Sequence, residues 1–397
     1  MTELKVTLIG ALLTAIGPLS LALYTPAMPV MVAYFGSTNA VIQLTVTLYF
    51  FGFALTQLVC GPLSDGLGRR PVILGFTLLY VLASFAILMS STIEIMLVGR
   101  FLQGVGAAAG VAIARAIVRD VFADARAIKI MNLMGLFIAI APAIAPMVGG
   151  ITLEVAPWQT LFAMMAGVGL LIMGVTVFSL QETVRRDLSR IRPRALLRAY
   201  AILLTHRYFM LASMVIACSI GAIYALATIL PFVLMNQVGM SPTLFGVSQI
   251  LQAGCYAVGA LAVQIALRSM QSNTLIPIGL VLITASSGLM VVLVAMHGPS
   301  FMNVMLPLSG FSFGVAFILP AMLTNTLMPF PHMAGAAAAL TAFLQMATGL
   351  LTSALASTFH DPAVALITLI PSAALIALLC WLFWRRLPVP IPPDALK

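Results

Sequence analysis

Apolar residues run along this chain in blocks of about twenty, with polar residues gathered between the blocks rather than alternating within them. As a helix, such a block crosses a hydrocarbon core of ~30 Å, whereas the strands and half-buried helices of a water-soluble core alternate at short period. Twelve blocks are present, over residues 7–27, 41–63, 72–91, 95–117, 129–151, 159–180, 209–234, 244–267, 275–296, 301–327, 334–358 and 363–384. The pattern predicts an all-α membrane protein with twelve transmembrane helices.

Composition sharpens that reading. Of 397 residues, 62% are hydrophobic and 7% charged, and the mean hydropathy is +1.14. Too little polar surface remains to face water, which rules out an ordinary soluble protein. The net charge of +9 raises the question of a nucleic-acid partner, and the placement of the charges answers it. With the N-terminus inside, the cytoplasmic ends carry Lys5, Arg69, Arg70, Arg115, Arg119, Arg126, Lys129, the run from Arg185 to Arg207, Arg268, Arg385, Arg386 and Lys397. The other face has Glu94, Glu154 and Asp361 and no Lys or Arg. That asymmetry places both termini in the cytoplasm and explains the basic balance without DNA or RNA. The first block is too long for a signal-peptide core, and Pro26 and Pro29 follow it without a small-residue cleavage site, so it reads as a retained helix. Cys60, Cys218, Cys255 and Cys380 lie in apolar blocks without metal-type spacing and read as structural thiols, with no metal or cofactor implied.

One segment breaks the rhythm of short loops. Gln181 to Arg207 is basic and central, with six blocks on either side. It divides the chain into an N-terminal six-helix bundle (1–181), a central cytoplasmic loop (182–207) and a C-terminal six-helix bundle (208–397). Leu196, Leu197 and Tyr200 among its arginines fit a short amphipathic helix on the membrane surface; a plain linker obeying the same charge rule fits as well. Two pseudo-symmetric bundles with a site between them are a transporter layout. Gly259–Leu261 followed by Arg268 reads as a decayed copy of the stretch at 61–72.

That stretch, "GPLSDGLGRRPV", joins the second and third blocks. Gly61 and Gly68 suit close approach and a sharp turn, Pro71 suits the first turn of a new helix, and Asp65 is placed to meet a basic neighbour or a helix N-terminus. With Arg69 and Arg70 it follows G-x-x-x-D-x-x-G-R-R, which closely resembles the signature loop of the major facilitator superfamily. The resemblance implies a cytoplasmic gate in which Asp65 latches against the start of the eleventh block, "FPHMAG", with His332 in it; the reading from charge alone is a tight positive-inside turn. In the fourth block, "GRFLQGVGAAAG" places Arg100 inside hydrocarbon with Gln103 on the same helical face. A charge there is costly and faces a bundle interior, and Gly104, Gly106, Ala108 and Gly110 allow tight packing. The superfamily carries a similar R-x-x-Q-G-x-G; the competing reading has Arg100 reach the outer surface and bond Glu94. In the fifth block Pro142, Pro146, Gly149 and Gly150 predict a kinked, closely packed helix and resemble the antiporter motif of exporters in this superfamily.

"PLSLALYTPAMP" at 18–29 and "FPHMAGAAAAL" at 330–340 narrow the resemblance to the bicyclomycin/chloramphenicol-resistance branch of multidrug efflux carriers. That branch implies a bacterial inner-membrane exporter of lipophilic or amphipathic drugs working by alternating access and proton antiport, acting as a monomer. The chain departs from it at two positions: Ala22 stands where the branch usually has an Asp, two residues before Tyr24, and Met328 and Pro329 stand where an acidic residue often precedes Phe-Pro-His. Every carboxylate, from Glu3 and Asp65 to Asp361 and Asp394, lies in a loop or at a block end. Arg100 cannot carry the proton, because a guanidinium stays charged. Proton coupling through the gate, transport driven by the membrane potential alone and uncoupled facilitation all remain open, as does a dedicated metabolite exporter. With Arg100 the sole buried charge, neutral or anionic substrates fit better than cations. Polar residues at helical spacing nominate a substrate cavity of Tyr24, Tyr49, Arg100, Gln103, Tyr224, Gln252, Tyr256, Asn325 and Gln345. Gln249, Thr341, Thr348 and Thr352 share those faces, and Phe313, Phe317 and Phe343 are candidate aromatic walls. No nucleophile, metal cluster or acid/base pair accompanies them, which argues against an enzyme.

Overall fold

The structure is a computed structural model and describes residues 3–122, 124–184, 186–191 and 193–390. Arg185, Arg192, Asp394 and Lys397, which entered the charge pattern, lie outside the described residues, as does the side chain of Asp124. The helices are α1 (Glu3–Tyr24), α2 (Met28–Tyr34), α3 (Asn39–Leu67), α4 (Arg69–Leu88), α5 (Ile93–Val121), α6 (Asp124–Val155) and α7 (Gln159–Ser179). They continue as α8 (Pro193–Thr205), α9 (Arg207–Pro231), α10 (Pro242–Ala266), α11 (Ser272–His297), α12 (Phe301–Leu327), α13 (Ala334–Ala356) and α14 (Pro362–Trp384). Among the described residues twelve helical segments are long and apolar enough to cross a membrane, and they coincide with the twelve apolar blocks.

The first span runs further than its block. A 3₁₀ turn at Thr25–Ala27 and then α2 carry it to Tyr34. Pro26 and Pro29 do not end it, because each occupies a first-turn position, where the missing N–H is no loss. The seventh span likewise gains a π-helical turn, Phe232–Gln237, after Pro231. Side-chain caps fix four α-helix starts among the described residues: Thr38 accepts from Val41 N, Ser241 from Leu244 N, Ser300 from Asn303 N and Asp361 from Ala363 N. Large apolar side chains such as Leu82, Phe178, Leu251 and Met296 remain exposed, a liability in water and the expected lipid face in a bilayer.

The chain divides into two compact units, Met1–Arg192 with Ser241–Gln249, and Pro193–Met240 with Ile250–Lys397. In the first, α5 is the central helix, packed on α1, α3 and α4. Its glycines make this possible: a Cβ on Gly104 would strike the Tyr49 carbonyl of α3, on Gly106 the α4 backbone at Phe76 and Tyr80, and on Gly110 the Leu13 carbonyl of α1. Backbones that close hold neighbouring side chains at fixed heights along α5. In the second unit α9 is central, against α12, α13 and α14, with Gly221 meeting Thr348 and Gly349 meeting Tyr224.

The central segment is not all linker. Helix α8 forms within it and packs on α9 and α13, burying Tyr200 and Leu203 on one face. Part of the apolar stripe thus lies against protein, while Leu197, one turn before Tyr200, stays 67% exposed.

Candidate functional site

Arg100 sits in the middle of the first unit with no exposed surface. The guanidinium carbon lies 4.4 Å from the ring centre of Tyr24 and 4.4 Å from that of Tyr49, so a tyrosine from α1 and another from α3 cover it. Its Nη1 donates to Gln103 Oε1 at 2.5 Å, and Gln103 Nε2 donates onward to Ser84 Oγ at 2.8 Å and Met165 Sδ at 3.4 Å. Ser84 donates to the Tyr80 carbonyl, the Tyr80 hydroxyl pairs with Ser20 at 2.5 Å, and Tyr24 pairs with Thr45 at 2.6 Å. Tyr49 donates to the Gly17 carbonyl at 3.0 Å. Five helices, α1, α3, α4, α5 and α7, therefore converge on one cation through a polar network.

The energetics are unusual because no carboxylate takes part. A buried ion pair loses several kcal/mol per ion to desolvation and regains it only from a well-placed partner. Arg100 has two desolvated ring contacts, each worth about 2 kcal/mol, and one hydrogen bond to a neutral amide. Its Nε and Nη2 find no acceptor among the described residues. Of the residues marked by sequence pattern, Tyr24, Tyr49, Arg100 and Gln103 come together here. Tyr80, Ser84, Ser20 and Thr45 join them without having been marked. Their hydroxyls carry no signal of direction in an apolar span, although Tyr80 and Ser84 do share a face at i, i+4.

The candidates of the second unit gather less tightly. Tyr224 and Tyr256 are electrostatic neighbours. Gln252 Nε2 is buried without an acceptor among the described residues, and Gln345 is half-buried on α13. Asn325 stands apart near the end of α12, where it donates to Asn273 Oδ1 at 2.7 Å in an exposed clip to the start of α11. Thr341 pairs with Ser213, and Thr348 packs on Gly221, so both serve the α9–α13 contact. Phe313 and Phe317 stack on each other and pack with Val263 and Leu275, as core rather than as walls.

The stretch at 61–72 contracts almost to a point. Helix α3 runs through Gly61 and Pro62 to Leu67, and α4 starts at Arg69, leaving Gly68 alone between them at φ +102°. Gly61 is thus not a turn residue, a correction: it is helical and a Cβ there would meet nothing within 4 Å. Gly68 is required twice, for its left-handed backbone and because a Cβ would press on the Glu182 carboxylate. Glu182 accepts from Arg69 N at 2.8 Å and Arg70 N at 3.1 Å, placing an anion on the first turn of α4. Pro71 follows in that turn and lacks a donor to satisfy. Asp65 pairs with Arg69, whose Nε reaches Asp120 Oδ2 at 3.0 Å and whose Nη1 donates to Ser64 Oγ at 2.6 Å. Arg70 Nη2 donates to the Val177 carbonyl at 2.8 Å, and Asp187 N to the Gly66 carbonyl at 2.9 Å. Asp65 thus has its partner inside its own unit, and the carboxylate that sits on a helix N-terminus is Glu182. Neither Asp120 nor Glu182 was nominated by spacing; each is the last acidic residue beside a span, a weak signal. His332 lies on a 3₁₀ turn of the second unit, lining a cavity of about 220 Å³ with His206, Phe330 and Pro390.

Pro142 and Pro146 lie within the single helix α6. A Cβ on Gly149 would meet the Leu23 carbonyl, and one on Gly150 the Pro242 carbonyl in the 241–249 stretch of the same unit. The pair is a close-packing surface.

Comparison with known proteins adds to this geometry. The sequence model described as Major Facilitator Superfamily matches residues 10–353. The chain is 28% identical over 363 residues to the MFS-type transporter YdgK of Bacillus subtilis (strain 168), covering 89% of this chain and 88% of that one. It is 30% identical over 329 residues to the multidrug resistance protein MdtL of Salmonella heidelberg (strain SL476), covering 81% and 80%. A crystal structure of a D-xylose-proton symporter superposes with a TM-score of 0.76 at 13% identity over the whole of both chains. A bacterial homolog of the human lysosomal transporter Spinster gives 0.74 at 13% over 96% of each. At that identity the likeness is one of fold.

Proposed function

The chain belongs to the major facilitator superfamily, and from that premise we propose that this multi-pass membrane transporter exports small lipophilic or amphipathic compounds across the bacterial inner membrane by alternating access. The observation that carries the proposal is the Arg100 site: a polar network closed over by aromatic rings within a span, where a charge is retained only for a task. The relatives named for multidrug resistance support the direction of transport. Both termini face the cytoplasm in this reading, by the distribution of Lys and Arg. The network of Asp65, Arg69, Asp120 and Glu182 serves as the cytoplasmic gate.

The coupling ion in this reading is the proton, and the carboxylates of that gate network are its carriers, since Ala22 leaves the first span without one. The same residue favours a second reading, an uncoupled facilitator or dedicated metabolite exporter. Everted vesicles loaded by a panel of lipophilic compounds, with pH gradient and potential imposed separately, decide between them. Uphill uptake driven by the pH gradient with proton counterflow is the expected result. Saturable uptake that is only downhill and indifferent to pH would establish the facilitator, and non-saturating flux would remove the carrier reading altogether.

A further inference from the structure

We propose that Arg100 grips an oxyanion of the transported compound, a carboxylate carried on a lipophilic body, through its Nε–Nη2 edge. The proposal rests on the Arg100 site being the transport site and names the substrate class it takes. A guanidinium is planar, with two faces and a fixed fan of five N–H donors. Here both faces belong to Tyr24 and Tyr49, and Nη1 belongs to Gln103. The two nitrogens left without an acceptor among the described residues, Nε and Nη2, are the adjacent pair whose N–H bonds run parallel. That edge matches the two oxygens of a carboxylate and grips them with two charge-assisted bonds.

Among the described residues the chain supplies no such group of its own. Those that interact electrostatically with Arg100 are Tyr24, Tyr49 and Tyr80, and every carboxylate of the sequence lies in a loop or at a span end. The surroundings suit the rest of such a ligand: Phe162 meets Tyr24 at 5.9 Å and Trp158 meets Phe162 at 5.8 Å, an aromatic run leading away from the cation. A neutral compound fits the rings and leaves the edge unsatisfied. A cation adds a like charge beside a buried one. An amphipathic anion answers both. Because Arg100 has no exposed surface in this conformation, a ligand reaches the edge when a tyrosine ring swings off the guanidinium, exchanging a ring contact for an ion pair.

The test is equilibrium binding of 4-phenylbutyrate and its neutral amide, 4-phenylbutyramide, to the purified full-length protein at constant ionic strength, with thermal midpoints in each. The expected result is a preference of about tenfold or more for the carboxylate, and a midpoint raised by it and not by equal sodium chloride. R100K, which keeps the charge and loses the fork, reduces the preference, and R100Q abolishes it. Should either variant fail to fold, Q103E decides: it gives Arg100 a carboxylate from within and is expected to lower the preference while raising the midpoint. Equal affinity for acid and amide, a preference untouched by R100Q and Q103E, or stabilisation by chloride as strong as by the acid overturns the proposal. Carboxylate preference in a protein that moves nothing in vesicles overturns the exporter reading and leaves this assignment; efflux of neutral compounds without preference does the reverse.

Discussion

Arg69 and Arg100 lie on consecutive spanning helices of one unit, and both are withdrawn from solvent, at 6% and 0% exposure. Their surroundings differ in kind. Arg69 is bonded through Nε and Nη1 to two carboxylates and a serine hydroxyl, with no nitrogen buried without an acceptor among the described residues, on a stretch pinned further by Glu182. Arg100 has two rings, one amide and two nitrogens without an acceptor among the described residues. A buried cation whose bonds are complete is a structural fastening, and removing it orphans its partners. One whose bonds are incomplete holds interaction free energy in reserve for something the protein does not contain, and removing it relieves the fold while ending the function.

The widest test of this contrast is the same substitution at both positions. Arg69→Met leaves Asp120 and Asp65 without their cation and is expected to destabilise by about 3 kcal/mol. Arg100→Met removes an uncompensated charge, at the expense of ring contacts and the Gln103 bond; the midpoint is expected to hold or rise while efflux falls to the empty-vector level. Thermal unfolding in detergent beside drug-accumulation assays reads both, and a larger stability loss at Arg100 than at Arg69 would break the distinction. Next in size is a pair of glycines in the 61–72 stretch. Gly68→Ala forces a Cβ into left-handed backbone and against Glu182, an expected loss of about 2 kcal/mol. Gly61→Ala, helical and uncrowded, is expected to be neutral or stabilising by up to about 1 kcal/mol. Smaller again, Glu182→Gln keeps one acceptor oxygen of the α4 cap, replaces the other with an NH2 that cannot accept, and removes the charge, for about 1 kcal/mol at low salt and less at high salt.

The contrast between the two arginines was only half visible in the sequence. Twelve spans follow from block length alone, because in lipid a segment must satisfy its own backbone and only one element does so. Arg100 and Gln103 were legible for a related reason: a charge in hydrocarbon is so costly that its presence marks a site. The completeness of each arginine's bonds was not legible, because it depends on side chains far along the chain, Asp120 and Glu182 around Arg69 and Tyr80 and Ser84 around Arg100. Gly61 and Gly68 read alike as letters; only the path of α3 through Pro62 separates a helical glycine from a turn. The 193–205 helix was legible as amphipathic, but periodicity fixes which residues share a face and not whether that face meets lipid or α9.

Asn325 provides the smallest and most specific check. Residue type and helical spacing place it beside Tyr224, Gln252 and Gln345 in a cavity, yet its side chain spends a donor on Asn273 in an exposed clip near the end of α12. An exposed amide pair contributes little, because each group exchanges one partner for water. Asn325→Ala is therefore expected to move stability by no more than about 0.5 kcal/mol and to leave efflux and substrate range unchanged. Gln252→Leu is its counterpart: it removes a buried amide nitrogen that has no acceptor among the described residues, so stability is held or improved while the range of transported compounds narrows toward the apolar. A changed substrate profile in Asn325→Ala with none in Gln252→Leu would mean that polar spacing along the helix, and not the bonding state of the side chain, tells where a substrate is met.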